Sequence, residues 1–280
     1  MKNQDQYSVT EKTRLNLVFQ FMGAVKKGDR ELISCLLTED AIWVFPGRNV
    51  LSGVAKGIDA VANRAALINS YGISIEHTNS LYSLNGLGLK LHNEGRKDGL
   101  ILDEFLLSAI TFKSDKIYSI DTYLSDIPGM NAFFIGEPTG KFPPTVLGDE
   151  LKYKIGNDFI TALKTRDWGL MRSLLNDKVS WSLPGSSLLS GLVKGADQVI
   201  SRASQLRDFG VKVEVERLLI GLNGVALSLH NTASRGELIL DQQVVISCEL
   251  LDGKITAIAT HLHDVAGINA FFLEGIISKN

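Results

Sequence analysis

Apolar residues recur along this chain with two different periods, and the change of period marks out the elements. Leu15, Val18, Phe19, Met22 and Val25 follow helical spacing near the start, and Ile155, Phe159, Ala162 and Leu163 do so again past mid-chain. A polar break at Lys27-Gly-Asp29 precedes a short helical turn ending at Leu36-Leu37, and Ala41–Phe45 reads as a strand stopped by Pro46-Gly47. Asp59 and Asp197 each stand before an apolar-periodic run, as N-caps would, with Gly72 and Gly210 as stop signals. After that the period is that of strands. Asn85-Gly86 and Asn223-Gly224 lie between apolar runs as hairpin turns. Leu100–Phe112 and Leu238–Leu251 read as long strands closed by turns at Ser114-Asp115 and Asp252-Gly253, and final strands follow at Lys116–Leu124 and Lys254–Leu262.

The pattern occurs twice. An offset of 138 residues, as from Trp43 to Trp181, superposes the two halves without a gap. Trp43-Val-Phe-Pro-Gly47 falls on Trp181-Ser-Leu-Pro-Gly185, Leu91-His-Asn93 on Leu229-His-Asn231, Leu100-Ile-Leu-Asp103 on Leu238-Ile-Leu-Asp241, and Asn131-Ala-Phe-Phe134 on Asn269-Ala-Phe-Phe272. Roughly 40% of positions agree, and a repeat this long is a domain duplication rather than a solenoid. Three of the six prolines, Pro138, Pro143 and Pro144, fall in one short connector. The expected division is a first copy over 1–135, a linker over 136–149 and a second copy over 150–280. Helices first and antiparallel strands afterwards give an α+β unit with its helices on one face of a curved sheet.

Composition narrows the function classes. With 29 Lys+Arg against 31 Asp+Glu and a formal net charge of −2, the chain lacks the basic footprint of a nucleic-acid binder. No stretch approaches the roughly 20 apolar residues of a membrane helix, and the polar N-terminus has no apolar signal core. A cytoplasmic location is expected. Cys35 and Cys248 are the only cysteines, which argues against a disulfide framework or a cysteine-rich zinc site. No phosphate-binding loop, dinucleotide-binding glycine pattern, His-Glu-x-x-His or Gly-x-Ser-x-Gly occurs, so no cofactor is implied.

The run helix, Gly-Asp, Leu-Leu, Trp-x-x-Pro-Gly, Ser-Gly, Lys-Gly-x-Asp, Arg resembles the nuclear-transport-factor-2-like superfamily, in particular its SnoaL-like, polyketide-cyclase-related branch. Asp252-Gly-Lys-Ile-Thr256, His261-Leu-His-Asp264 and Ala270-Phe-Phe272 resemble that branch's closing strand and tail. The resemblance implies two tandem cone-shaped units, paired within the chain as a pseudo-dimer because members usually form homodimers through their sheets, with further homo-oligomerisation open. It is specific for fold and weak for reaction. Ketosteroid-isomerase and polyether-epoxide-hydrolase relatives place an aspartate directly before the proline ending the first strand. Here Phe45 and Leu183 stand there, which puts those two chemistries in doubt.

The candidate chemistry is as follows. His92 and His230 lie opposite the leucines of their strands and are of the right type for acid–base work near neutral pH, or are strand-end histidines bonded to backbone. Asp126 and Asp264 match, by resemblance, the general base of the SnoaL-like cyclases, and are equally suited to capping a helix. Asp103 and Asp241 interrupt apolar strands and need a partner, for which Arg64 and Arg202 are available. His261 and His263, at i and i+2 beside Asp264, form an acid–base group with His230; a metal site there has little support, because Tyr123 and Ser125 replace them in the first copy. Trp43, Trp181 and Tyr123 are candidates to line an apolar pocket, although a place in the core is the stronger expectation for the two tryptophans. Catalysis is thus expected from His230, Asp264, His261, His92 and Asp126, and substrate contact from Trp43, Trp181, Tyr123, His263, Asp103 and Asp241. The leading expectation is a cofactor-independent enzyme for acid–base cyclisation, isomerisation or hydrolysis of an apolar polyketide- or terpenoid-like molecule. A non-catalytic small-molecule carrier with paired pockets is the alternative, and a protein-interaction adaptor ranks last.

Overall fold

Asp29 starts the architecture by ending one helix and capping the next. In a computed structural model that describes residues 2–272, α1 (Lys2–Lys27) stops just before it. Its carboxylate then accepts the Leu32 N–H at 3.0 Å to open α2 (Arg30–Leu36). β1 (Leu37–Phe45), β2 (Gly53–Lys56), α3 (Ile58–Ser70), β3 (Ser74–Ser83), β4 (Gly86–Lys97), β5 (Leu100–Lys113), β6 (Lys116–Leu124) and α4 (Ile127–Phe133) follow. The second half repeats this order: α5 (Asp149–Thr165), α6 (Trp168–Leu174), β7 (Leu175–Leu183), β8 (Gly191–Lys194), α7 (Ala196–Asp208), β9 (Lys212–Gly221), β10 (Gly224–Arg235), β11 (Leu238–Leu251), β12 (Lys254–Leu262) and α8 (Val265–Phe271). The described chain divides into two compact units at Val146/Leu147, except that Leu81–Leu84 group with the second.

Each unit is α+β. In the first, the strand order is β3-β4-β5-β6-β1-β2, antiparallel through β4, β5 and β6, with β1 parallel to β6 and antiparallel to β2. The second unit has the matching order β9-β10-β11-β12-β7-β8. Several boundaries differ from those expected. Gly57 and Gly195 are the N-caps of α3 and α7, so Asp59 and Asp197 fall inside the first turn, where a carboxylate still favours the helix dipole. The hairpin loops are Leu84-Asn85 and Leu222-Asn223, with Gly86 and Gly224 already in the strands. Gly224 is required by close approach, since a Cβ there would lie 2.1 Å from the Cys248 carbonyl oxygen. The connector is not slack along its whole length. Thr139, Gly140 and Lys141 donate backbone N–H bonds to Val50, Ser52 and Val54 of the first unit.

Alternation decides what each sheet face carries. On β4, Leu87, Leu89, Leu91 and Asn93 share one face, and Lys90, His92 and Glu94 the other. On β5, Leu102, Glu104, Leu106, Ser108 and Ile110 share the leucine face, and Asp103 and Phe105 the opposite one. The register sets Asn93 directly across from Glu104. α1 packs over the leucine face. Arg64, buried on α3, donates to the carbonyls of Trp43 and Gly53, and Arg202 on α7 repeats this with the Trp181 carbonyl at 2.7 Å. Each guanidinium thus satisfies strand-end carbonyls that the helix would otherwise cover. The tryptophans are fixed from the other side: Trp43 Nε1 donates to Thr122 Oγ1 at 3.0 Å and Trp181 Nε1 to Thr260 Oγ1 at 2.8 Å.

Candidate functional site

Between α1, α3 and the leucine face of the first unit lies a cavity of about 70 Å³. Phe21, Met22 and Val25 come from α1 because helical spacing stacks them on its inner stripe, and Trp43, Leu89 and Ile120 are among the strand residues that meet them. Three lining residues are polar, Asn93, Ser108 and Thr122, and none is titratable. Thr122 already accepts the Trp43 indole. Asn93 is different. It is only 8% exposed and its Oδ1 has no hydrogen-bond partner, which is costly in a folded core unless a ligand or water supplies one. In the second unit Asn231 Oδ1 is likewise without a partner.

Glu104, facing Asn93 across the strand pair, is 1% exposed. Its Oε1 accepts the Ser125 N–H at 2.6 Å and the Ser125 hydroxyl at 3.0 Å, and its Oε2 accepts the Asp126 N–H at 3.1 Å. Desolvation outweighs these bonds and pushes the carboxyl up to about 7. At the matching position the second unit carries Gln242, whose amide both accepts the Asp264 N–H at 3.0 Å and donates to the Asp264 carbonyl at 2.6 Å. Ile246 likewise stands where Ser108 does. The first unit therefore holds the more polar version of the site.

Of the expected site residues, Trp43 lines this cavity and the others do not. His92 is on the face away from the cavity, stacked on Phe105 at 4.2 Å with Nε2 2.7 Å from Asp103 Oδ1 and Nδ1 3.8 Å from Glu76. His230 and Asp241 repeat the pair at 2.5 Å, and that bond holds the imidazole above its ordinary value. The partners of Asp103 and Asp241 are thus these histidines and not Arg64 or Arg202. Both carboxylates are largely exposed, which makes the pairs surface contacts of small energetic weight. Asp126 and Asp264 cap α4 and α8, accepting the Gly129 and Gly267 N–H groups at 3.0 and 2.9 Å. His261 is buried, with Nε2 3.2 Å from Ser247 Oγ and Nδ1 unpartnered, and burial pushes it down to about 4. His263 is exposed beyond the end of β12, so the two histidines do not share one environment. Tyr123 is buried but does not line the cavity. Trp43 lines it, while Trp181 is buried in the second unit. Among the described residues no three His, Cys, Asp or Glu side chains gather as metal ligands would.

The polar residues that line the cavity, Asn93, Ser108 and Thr122, and Glu104 across the strand pair from Asn93, are not those singled out in the sequence. The available signal was their parity: each interrupts a run of alternating leucine or isoleucine on the buried face. The capping role of Asp126 also makes a prediction. Asp126→Ala lowers stability by about 1 kcal/mol, read from the urea midpoint, and leaves ligand binding in the cavity unchanged.

No family model matches the chain, and no curated protein matches it. Solved structures do. Bal32a, from a soil-derived mobile gene cassette, is 22% identical over 44% of this chain and 97% of its own, with a TM-score of 0.42. A nuclear-transport-factor-2-like protein from Burkholderia xenovorans is 21% identical over 44% and 96%, with a TM-score of 0.39. An LEH-like epoxide hydrolase from M. tuberculosis is 18% identical over 46% and 93%, with a TM-score of 0.35.

Proposed function

We propose that the first unit binds a small, mostly apolar molecule in the cavity under α1, with Asn93 and Ser108 as its polar contacts. One observation carries this reading: an apolar cavity has a buried amide on its wall whose oxygen has no partner within the protein. Such a group discriminates strongly in favour of a ligand that pairs with it. At about 70 Å³ the cavity is far below the roughly 300–1,000 Å³ usual for ligand pockets, so a polyketide- or terpenoid-sized molecule enters only if the walls move.

An acid–base enzyme of the SnoaL-like cyclase, isomerase or hydrolase kind is the second reading, and Glu104 favours it. A buried carboxyl titrating near neutrality beside the cavity is of the type that moves protons. His92 and Asp126, turned to other partners, give that reading no support. The tandem nuclear-transport-factor-2-like identity, pairing of the two halves as a pseudo-dimer and a cytoplasmic location belong to the same proposal. Among the described residues no helix is long and apolar enough to cross a membrane. Sedimentation that found two extended, separate lobes would count against the pairing.

The test imports the second unit's own residue. Ser108→Ile fills the cavity and is expected to abolish binding of cyclohexanol measured by calorimetry, while Asn93→Leu weakens it about tenfold. Undiminished binding in both variants overturns the binding reading. If a bound ligand is instead released chemically altered and Glu104→Gln stops that conversion, the enzyme reading replaces it.

A further inference from the structure

A second cavity of about 290 Å³ adjoins the first. The two share Val25, Ile68 and Ile75 as lining residues, so one set of apolar side chains forms a common wall. Their chemistry differs. The inner chamber is bounded mostly by aliphatic and aromatic groups, with Asn93, Ser108 and Thr122 its polar ones, whereas the outer one adds Lys26, Asn69 and Ser74, and Lys26 is its one charged lining residue.

The outer chamber lies where α1 and α3 end, and helix ends ordinarily present bare carbonyls that repel anions. Here several of those carbonyls already have partners. Gly28 and Asp29 donate to Val25 and Ala24 of α1, and Tyr71 and Gly72 donate to Ile68 and Asn69 of α3. The lining also brings side chains that can donate to a ligand: an ammonium, an amide and a hydroxyl. Asn93 lines the inner chamber together with the shared Ile75. In the second unit Asn231 pairs with Val213, the counterpart of Ile75.

We propose that the two chambers form one site for a small amphipathic monocarboxylate, with its apolar body inside, its carboxylate outside against Lys26, Asn69 and Ser74, and Val25, Ile68 and Ile75 as the neck between them. This rests on the reading of the inner chamber as a ligand pocket. It adds what that reading leaves open, the charge of the ligand and the direction in which it lies. The neck side chains turn aside as the body passes, and the donors outside then fix the orientation.

Calorimetry at low ionic strength with sodium hexanoate and hexan-1-ol separates the two claims. The expected result is hexanoate binding about threefold to fivefold more tightly than hexanol, with the preference lost in Lys26→Gln and narrowed by added salt. Ser108→Ile abolishes the binding of both. Equal affinity for the two probes, or a preference that survives Lys26→Gln, overturns the carboxylate proposal while the inner pocket stands. Binding of both probes unchanged in Ser108→Ile, or no binding of either by the unmodified protein, overturns the inner pocket and this proposal together.

Discussion

Glu104→Gln is expected to raise stability by about 2–3 kcal/mol at pH 8 and to change it little at pH 4.5. The carboxyl has an ordinary value of 4.5 and sits at about 7 in the folded protein. Its stabilising contribution is therefore full below 4.5 and is lost as pH rises through 7, because the folded state then holds a desolvated charge that the unfolded state does not. Glutamine keeps the shape and removes that charge. The second unit already uses this solution at Gln242, where the amide oxygen accepts the Asp264 N–H and the amide nitrogen donates to its carbonyl. In the first unit the glutamine oxygen takes over the Ser125 and Asp126 N–H groups, and its nitrogen faces the Asp126 carbonyl. Urea unfolding at both pH values checks the sign: a gain of equal size at pH 4.5 and 8, or a loss at pH 8, contradicts it.

His261 works in the opposite direction. Its imidazole is 3% exposed, with one nitrogen on Ser247 and the other without a partner, and burial lowers it from 6.5 to about 4. The neutral ring is the folded form. Its contribution is present above 6.5 and is lost as pH falls through 4, by up to about 3 kcal/mol. His261→Gln, which cannot take up a proton, is expected to retain that amount of stability at pH 4 relative to pH 7 compared with the unmodified chain. Parallel pH profiles for the two proteins contradict the assignment. Between 4.5 and 6.5 the Glu104 and His261 slopes have opposite signs, so the unmodified protein is expected to show a flatter profile there than either variant.

The fold was legible because its signals are local and occur twice. The strands at Lys116–Leu124 and Lys254–Leu262 begin after turn residues and end where the apolar alternation stops, and the structure gives the same limits. The polar end of the cavity was legible only in part. His92 is the more conspicuous residue of Leu91-His-Asn93, yet alternation puts it on the face away from α1 and leaves its neighbour Asn93 with the leucines. The same holds for Asp103 and Glu104. A carboxylate after Leu100-Ile-Leu draws the eye, but the chemically unusual one is a residue later, in phase with Leu102 and Leu106. On a sheet covered by helices the pocket lies on the apolar face, so its polar groups are the exceptions within the leucine phase. Other features are not written in the pattern. The volume left between α1 and the sheet depends on how side chains of seven elements interlock, and Asp126 declares itself a cap only once the Gly129 N–H is seen 3.0 Å away.

The most direct test of the account follows the indole N–H resonances while cyclohexanol is added. Trp43 and Trp181 occupy equivalent positions with equivalent threonine partners, so each serves as the other's control. The Trp43 signal is expected to move with saturation while the Trp181 signal stays in place, and the Trp43 shift is expected to be lost in Ser108→Ile. Movement of Trp181 alone, or of neither indole at concentrations where calorimetry detects binding, contradicts the assignment of the ligand site to the first unit.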